Sequence, residues 1–194
     1  IAPHFYFILF VPLVHRCFCE SLPSRLEWRM FGGDFSKYEE ALYEVFKRDF
    51  LRIPLTYMGK PVDIIHEKYY NRKERSFWHI ITAGEEDFRR AFDEDRCGSM
   101  PWARALITEK DACESYKMWI KWHDKTKRDR YYIWCSKVNY LVVLEDRDTY
   151  FKLITAFNVN KHSISRYQKD YETYLKKRKR PPKVGEISAP PTLG

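Results

Sequence analysis

Apolar residues recur at helical spacing early in the chain. In "DFSKYEEALYEVFKRDFLRI", Tyr38, Ala41, Leu42, Val45 and Phe46 fall on one stripe, and Asp34 or Ser36 can cap the helix this predicts. "PLTYMGKPVDIIHEKYY" then carries β-favouring residues broken by Pro and Gly, which predicts a strand and a turn. "NRKERS" reads as a charged turn leading into "FWHIITAG", a short apolar run ended by Gly84 and predicted as a strand. "EEDFRRAFDEDRCGSM" predicts a short helix with acidic residues in its first turn, where they suit the helix dipole. "PWARALI" opens on a Pro-Trp turn before a short apolar segment, and the Trp- and Lys-rich stretch after it reads as helical or irregular. The strongest pattern follows: strands at about 130–135, 139–145 and 149–157, then a helix at about 161–177. Helices, a strand region and an antiparallel meander in that order make an α+β chain.

One compact domain suits 194 residues. "FYFILFVPLV" near the start is too short to span a bilayer as a helix, and no basic stretch precedes it as in a signal peptide. The first Met is Met30, so residues 1–29 are expected to be a non-native or poorly ordered extension and 30–177 the folded domain. The tail 178–194, which completes the basic run "KKRKR" (176–180) and turns Pro-rich, reads as disordered.

Charge narrows the partners. A formal charge of +8 and 17% aromatic residues favour an anionic partner such as nucleic acid, an acidic protein or a charged membrane surface. Cys17, Cys19, Cys97, Cys113 and Cys135 form no C-x-x-C pair, so neither a disulfide framework nor a zinc ribbon is indicated, and a reducing cytosol is the default compartment. No P-loop, G-x-G-x-x-G, H-E-x-x-H or EF-hand loop is present, and no metal site or cofactor is expected. RNA cleavage by attack of the ribose 2′-OH needs neither. It asks the protein for a general base, a general acid and groups that stabilise charge on the phosphate.

Several residues could supply these. His79 sits among large apolar neighbours that would tune its ionisation; the plain alternative is a core histidine bonded to the backbone. Arg104, just after the Pro-Trp turn, can aim a guanidinium at phosphate or be an ordinary surface arginine. Thr155 interrupts the apolar run "FKLITAF", on a face that strict alternation shares with Phe151, Leu153 and Phe157. Its hydroxyl must bond to the backbone, orient His79 or meet a phosphate. Lys161 and His162 follow in "NVNKH", where side chains leave the sheet; His162 is a second acid–base candidate or part of a capping turn. Lys121, Arg130 and Tyr132, within the basic and aromatic run from Lys117 to Trp134, can track a phosphate backbone and stack a base. They can equally form a solvated helix face.

"FWHIIT", "PWARALI" and "YYIW…YLVVLEDRDTYFKLITAF" with a trailing basic helix resemble, in this order, the barnase/EndoU/colicin/RelE-like nuclease superfamily, in its phage- and mobile-element toxin branches. The resemblance runs from about Lys60 to Leu175. It implies N-terminal helices packed on a curved antiparallel sheet, with site residues on the concave face, and a toxin-type, metal-independent endoribonuclease acting on tRNA, mRNA or rRNA. By position, His79, Arg104 and Thr155 match the family's site, and Tyr132, Lys152 and His162 match it more loosely. Strict alternation puts Lys152 and Thr155 on opposite faces, so both reach one site only across a bulge. The toxin-type reading also implies an acidic antitoxin or immunity partner, or delivery into a target cell; no membrane association is expected, and the location expected from the cysteines is cytoplasmic. The alternative is a non-catalytic RNA- or DNA-binding module. Convergence of His79, Arg104 and Thr155 on one open cleft would separate the two.

Overall fold

The computed structural model describes residues 18–84, 90–109 and 113–178. The first apolar stripe folds as α1 (Phe35–Phe46), with Asp34 as N-cap accepting from the Lys37 N–H at 3.1 Å. Tyr38, Leu42 and Phe46 are buried, and the chain continues through a wider π-helical turn, Lys47–Arg52. A tight hairpin follows: β1 (Thr56–Tyr57) and β2 (Lys60–Asp63) are joined by Met58 and Gly59 at φ 49° and 81°. The left-handed conformation at the second of these is natural for glycine.

"FWHIITAG" departs from its predicted strand. It forms helix α2 (Arg75–Ile81), which runs into the two-residue strand β3 (Thr82–Ala83), paired with β4 (Ala91–Phe92). Phe77, Ile80 and Ile81 bury at i, i+3 and i+4, a spacing a short apolar run satisfies as well as alternation does. Arg90 closes this end, donating to the carbonyls of His79, Thr82 and Gly84 at 3.2, 2.7 and 2.8 Å. Asp93 then caps α3 (Glu94–Ser99), shorter than the helix expected over the whole segment: Ala91 and Phe92 are strand, and the acidic turn expected at 85–87 lies outside the described residues. "PWARALI" is also helical: α4 (Trp102–Thr108) buries Ala103, Leu106 and Ile107.

The meander has one strand more than predicted. β5 (Tyr116–His123) precedes β6 (Arg128–Cys135), β7 (Tyr140–Asp146), β8 (Phe151–Asn158) and α5 (Lys161–Arg178). The sheet order is β1-β2-β8-β7-β6-β5. β2 runs parallel to β8, so the sheet is mixed where a purely antiparallel one was expected. The α+β class holds.

Both faces of the sheet carry packed side chains. On the inner face Ile133, Val142, Leu144, Phe151, Leu153 and Ala156 pack with residues of α1, α2 and α4. The sheet curls toward this side, far enough for the Tyr57 ring on β1 to lie 6.2 Å from that of Tyr131 on β6. On the outer face Trp119, Trp134, Leu141 and Val143 pack beneath Tyr167 of α5.

Residues 18–29 are not loose. Trp102 Nε1 donates to Pro23 O at 2.7 Å, Tyr38 Oη to Leu26 O at 2.8 Å, and Arg25 pairs with Asp95 at 2.9 Å. Cys19 and Cys135, 116 residues apart, form a disulfide, correcting the expectation of none. Such a separation leaves no local motif to read. The bond also sits poorly with a reducing cytosol. Among the described residues no helix is long and apolar enough to cross a membrane. The expectations for residues 1–17 and for the tail beyond 178 lie outside the described residues.

Candidate functional site

A β-bulge decides where Thr155 points. Val143 pairs with Thr155 and Leu144 with Leu153, so Ile154 is the extra residue on β8. The bulge rotates the strand by one position. Phe151 and Leu153 face the inner core, whereas Thr155 turns outward beside Ile154 and Phe157. The expectation that Thr155 shares a face with Phe151 and Leu153 is therefore corrected. The same bulge places Lys152, opposite Glu145, on the outer face with Thr155.

Two cross-strand rows of that face follow from the register. Lys121, Arg130, Glu145 and Lys152 stand side by side on β5, β6, β7 and β8. Trp119, Tyr132, Val143 and Thr155 form the next row. With strands about 4.8 Å apart, four positions span about 14 Å. Thr155, Tyr132, Lys152, Lys121 and Arg130, each singled out from the sequence, thus share one surface.

Glu145 organises it. Its side chain is 0% exposed, and one oxygen accepts from Arg130 Nε at 2.9 Å and from the Thr126 hydroxyl at 2.8 Å. Its other oxygen is 2.5 Å from Arg147 Nη2. Burial alone would raise its pKa. The Thr126 and Arg130 hydrogen bonds and the charges of Arg130 and Arg147 outweigh burial and hold the carboxyl below the ordinary glutamate value. Two guanidiniums and Lys152 around one carboxylate leave net positive charge. Arg130 and Arg147 are 18% and 28% exposed, so each keeps an edge toward solvent. Lys121, 55% exposed, pairs with Asp170 of α5 at 3.1 Å. Tyr132 stacks on Trp119 at 5.1 Å and 10°, which fixes its ring.

The other named residues lie elsewhere. Arg104 is a structural anchor: Nη1 donates to Asp49 O and Ile53 O at 2.5 and 3.0 Å, and Nη2 to Pro54 O at 2.9 Å. It satisfies carbonyls where the π-helical turn ends, and it borders a cleft of about 800 Å³ between β1 and β5. His79, on α2, lines a separate cleft of about 510 Å³ walled by Tyr69, Tyr70, Trp78 and Phe92. Neither Arg104 nor Thr155 is among the described residues lining it, and Arg90, which does, is occupied with backbone carbonyls. His79, Arg104 and Thr155 therefore do not converge. "NVNKH" has a local role. Asn158 Oδ1 accepts from Ser99 Oγ at 2.5 Å, Val159 is buried under α5, and Asn160 Oδ1 accepts from the Ser163 N–H at 2.9 Å. Lys161 and His162 are exposed on the first turn of α5, at the opposite end of β8 from Lys152, about 20 Å away. Sequence reasoning passed over Glu145, Arg147, Thr126 and His123. The first two stand in "LVVLEDR", where a charged residue ending an apolar strand was the available signal.

Among the described residues no group of three or more His, Cys, Asp or Glu side chains is placed to hold a metal. No protein-family model, no curated protein and no solved structure matches this chain.

Proposed function

We propose that this protein binds RNA across the outer face of its sheet, along the row of Lys121, Arg130 and Lys152, and that it does so as a basic, sequence-tolerant binding module. One observation carries the reading: the bulge on β8 puts Lys152 and Thr155 in the same two rows as Lys121, Arg130 and Tyr132. The Lys152 ammonium and the Thr155 hydroxyl have no hydrogen-bond or ion-pair partner among the described residues, so both are available to phosphate. The same surface accounts for a strongly basic chain with no nucleotide or metal motif.

Fluorescence anisotropy with a labelled single-stranded RNA across a salt series tests this. Affinity should fall as salt rises, and Lys152→Ala should weaken binding and flatten the log–log salt dependence by about one unit. An unchanged slope in the variant would remove this face from the interface. The toxin-type endoribonuclease stands as the second reading, favoured by His79 opening onto an aromatic-walled cleft in which a base can stack. It predicts cleavage of total RNA in EDTA that His79→Ala abolishes. An acidic antitoxin or immunity protein would then compete with RNA for the basic face.

A further inference from the structure

The rings that wall the His79 cleft continue past it. Tyr70 meets Trp78 at 5.2 Å, Trp78 meets Phe92 at 5.9 Å, Phe92 meets Phe35 at 4.2 Å, and Phe35 meets Trp28 at 5.6 Å. Phe92 is shared between that cleft and a second of about 220 Å³, walled also by Trp28, Phe35 and Tyr38. Tyr38 and Glu94 are in turn shared with a third, of about 620 Å³, which Arg25, Glu27, Asp93 and Asp95 also line. The three form one trough, aromatic at the Tyr70 end and acidic at the other. Its rings are not all core: Tyr70, Phe92 and Phe35 are 61%, 41% and 37% exposed. Neighbouring aromatic side chains left open to water mark a contact surface. The Tyr70 hydroxyl has no hydrogen-bond partner among the described residues, so it can donate to a ligand carbonyl.

Charge then selects the occupant. Four carboxylates line the acidic end against the single guanidinium of Arg25. Arg29 and Arg96 pair with Glu27 and Asp93 from beside it, and carboxylates still outnumber guanidiniums. Glu94 has no ion-pair partner among the described residues, and Asp95 is 75% exposed while it pairs with Arg25. That charge repels nucleic acid and anionic lipid, so the occupant is cationic as well as apolar. We propose that the trough docks an extended, proline-rich peptide flanked by Lys or Arg, with prolines against the rings and basic residues at the Glu94 end. A polyproline II strand has no internal hydrogen bonds, leaves its carbonyls free to accept, and loses little chain entropy on docking, so aromatic-lined grooves take it. The ring path is at most about 20 Å, six or seven such residues at about 3.1 Å each. The chain itself holds a sequence of this kind, "KKRKRPPKVGEISAPP" at 176–191. The trough crosses α1, α2, β4 and α3, apart from the outer sheet face, and does not depend on RNA binding there.

The probe is a fluorescein-labelled synthetic peptide of 176–191, titrated by anisotropy into the full chain and into the full chain carrying Pro181→Ala and Pro182→Ala. The second form is included because the chain's own segment can compete for the trough. Saturable binding that weakens as salt rises is expected in at least one form; tighter binding by the second supports the proposal and names the chain's own segment as an occupant. In the form that binds, Phe92→Ala should weaken binding by about 10-fold or more, and Glu94→Gln should flatten its salt dependence. Tyr70→Phe removes one exposed hydroxyl without touching the fold and should weaken binding about threefold. Circular dichroism should show all three variants folded. A peptide with its four prolines replaced by alanine should bind about 10-fold more weakly. Absence of saturable binding by both forms overturns the proposal. So does binding that Phe92→Ala and Tyr70→Phe both leave unchanged, which places the peptide elsewhere. Equal binding of the alanine peptide overturns it too, since the attraction is then one of charge alone.

Discussion

Glu145→Gln is the substitution that most directly probes how the outer face is built. The carboxylate is fully buried and meets three groups: Arg130 and Thr126 on one oxygen, Arg147 on the other. Breaking a buried ion pair by removing one partner costs about 3–5 kcal/mol when the remaining charge is stranded. Here the stranded charges are guanidiniums 18% and 28% exposed, which can regain some water. Glutamine also keeps an acceptor for Thr126, so a loss of about 2–3 kcal/mol is expected at neutral pH. With a urea m-value of about 2 kcal/mol per M, the midpoint should fall by about 1–1.5 M, measured with the disulfide intact. The pH dependence has a definite sign. The folded carboxyl sits below its ordinary value of 4.5, so its contribution is fully present above about that pH and is lost as pH falls through the depressed folded value. The gap between wild type and variant should therefore narrow in acid. A midpoint at pH 7 equal to that of wild type would refute the account of Glu145 as the anchor of the two arginines.

Two other substitutions separate structure from function. Arg104→Ala should cost about 2 kcal/mol in the same urea assay, from three carbonyl partners partly recovered by water, and leave RNA affinity unchanged. A stable variant that lost RNA binding would restore Arg104 to the site. Tyr140→Phe should be neutral or stabilising by about 1 kcal/mol, because the buried Tyr140 hydroxyl has no hydrogen-bond partner among the described residues. Burial also pushes that phenol well above its ordinary pKa, so it stays neutral, and a loss above about 1 kcal/mol on thermal unfolding would reveal an uncounted partner.

The long periodic elements were legible in the sequence, and the short apolar runs were not. α1, β7 and α5 each carry enough residues for one period to win. "FWHIIT" and "PWARALI" do not, and in both the core took a helical face through residues at i, i+3 and i+4. β5 was hidden for a different reason. Its Lys117, Trp119 and Lys121 face outward and its Tyr116 and Met118 inward, so aromatic rings fall on both sides and no polar face shows. The site was half legible. Basic and aromatic residues on β6 and β8 were chosen for their chemistry and fell together, whereas Arg104 and His162 were chosen for their position beside turns. Turns are where arginines and caps do local work, and that is what these two residues' surroundings show.

The division between the faces explains why a threonine interrupts "FKLITAF". A regular β8 would have one face for Phe151, Leu153, Thr155 and Phe157, burying the hydroxyl in the inner core. The bulge at Ile154 lets Phe151, Leu153 and Ala156 stay inside while Thr155 and Phe157 go outside. The outer face then has two zones. Toward the C-terminal end of β8, Phe157 and Val159 join the aromatic cluster under α5; toward its N-terminal end, Lys152 and Thr155 face the Glu145 network. α5 lies along β5 and ties to it through Lys117–Gln168 and Lys121–Asp170, so it covers the first zone from that edge and reaches the Lys121 end of the second. A Thr155→Val exchange would keep shape and packing at the junction of the zones and remove only the hydroxyl. Stability should therefore be preserved whatever the site does, and any change in RNA affinity belongs to the hydroxyl itself.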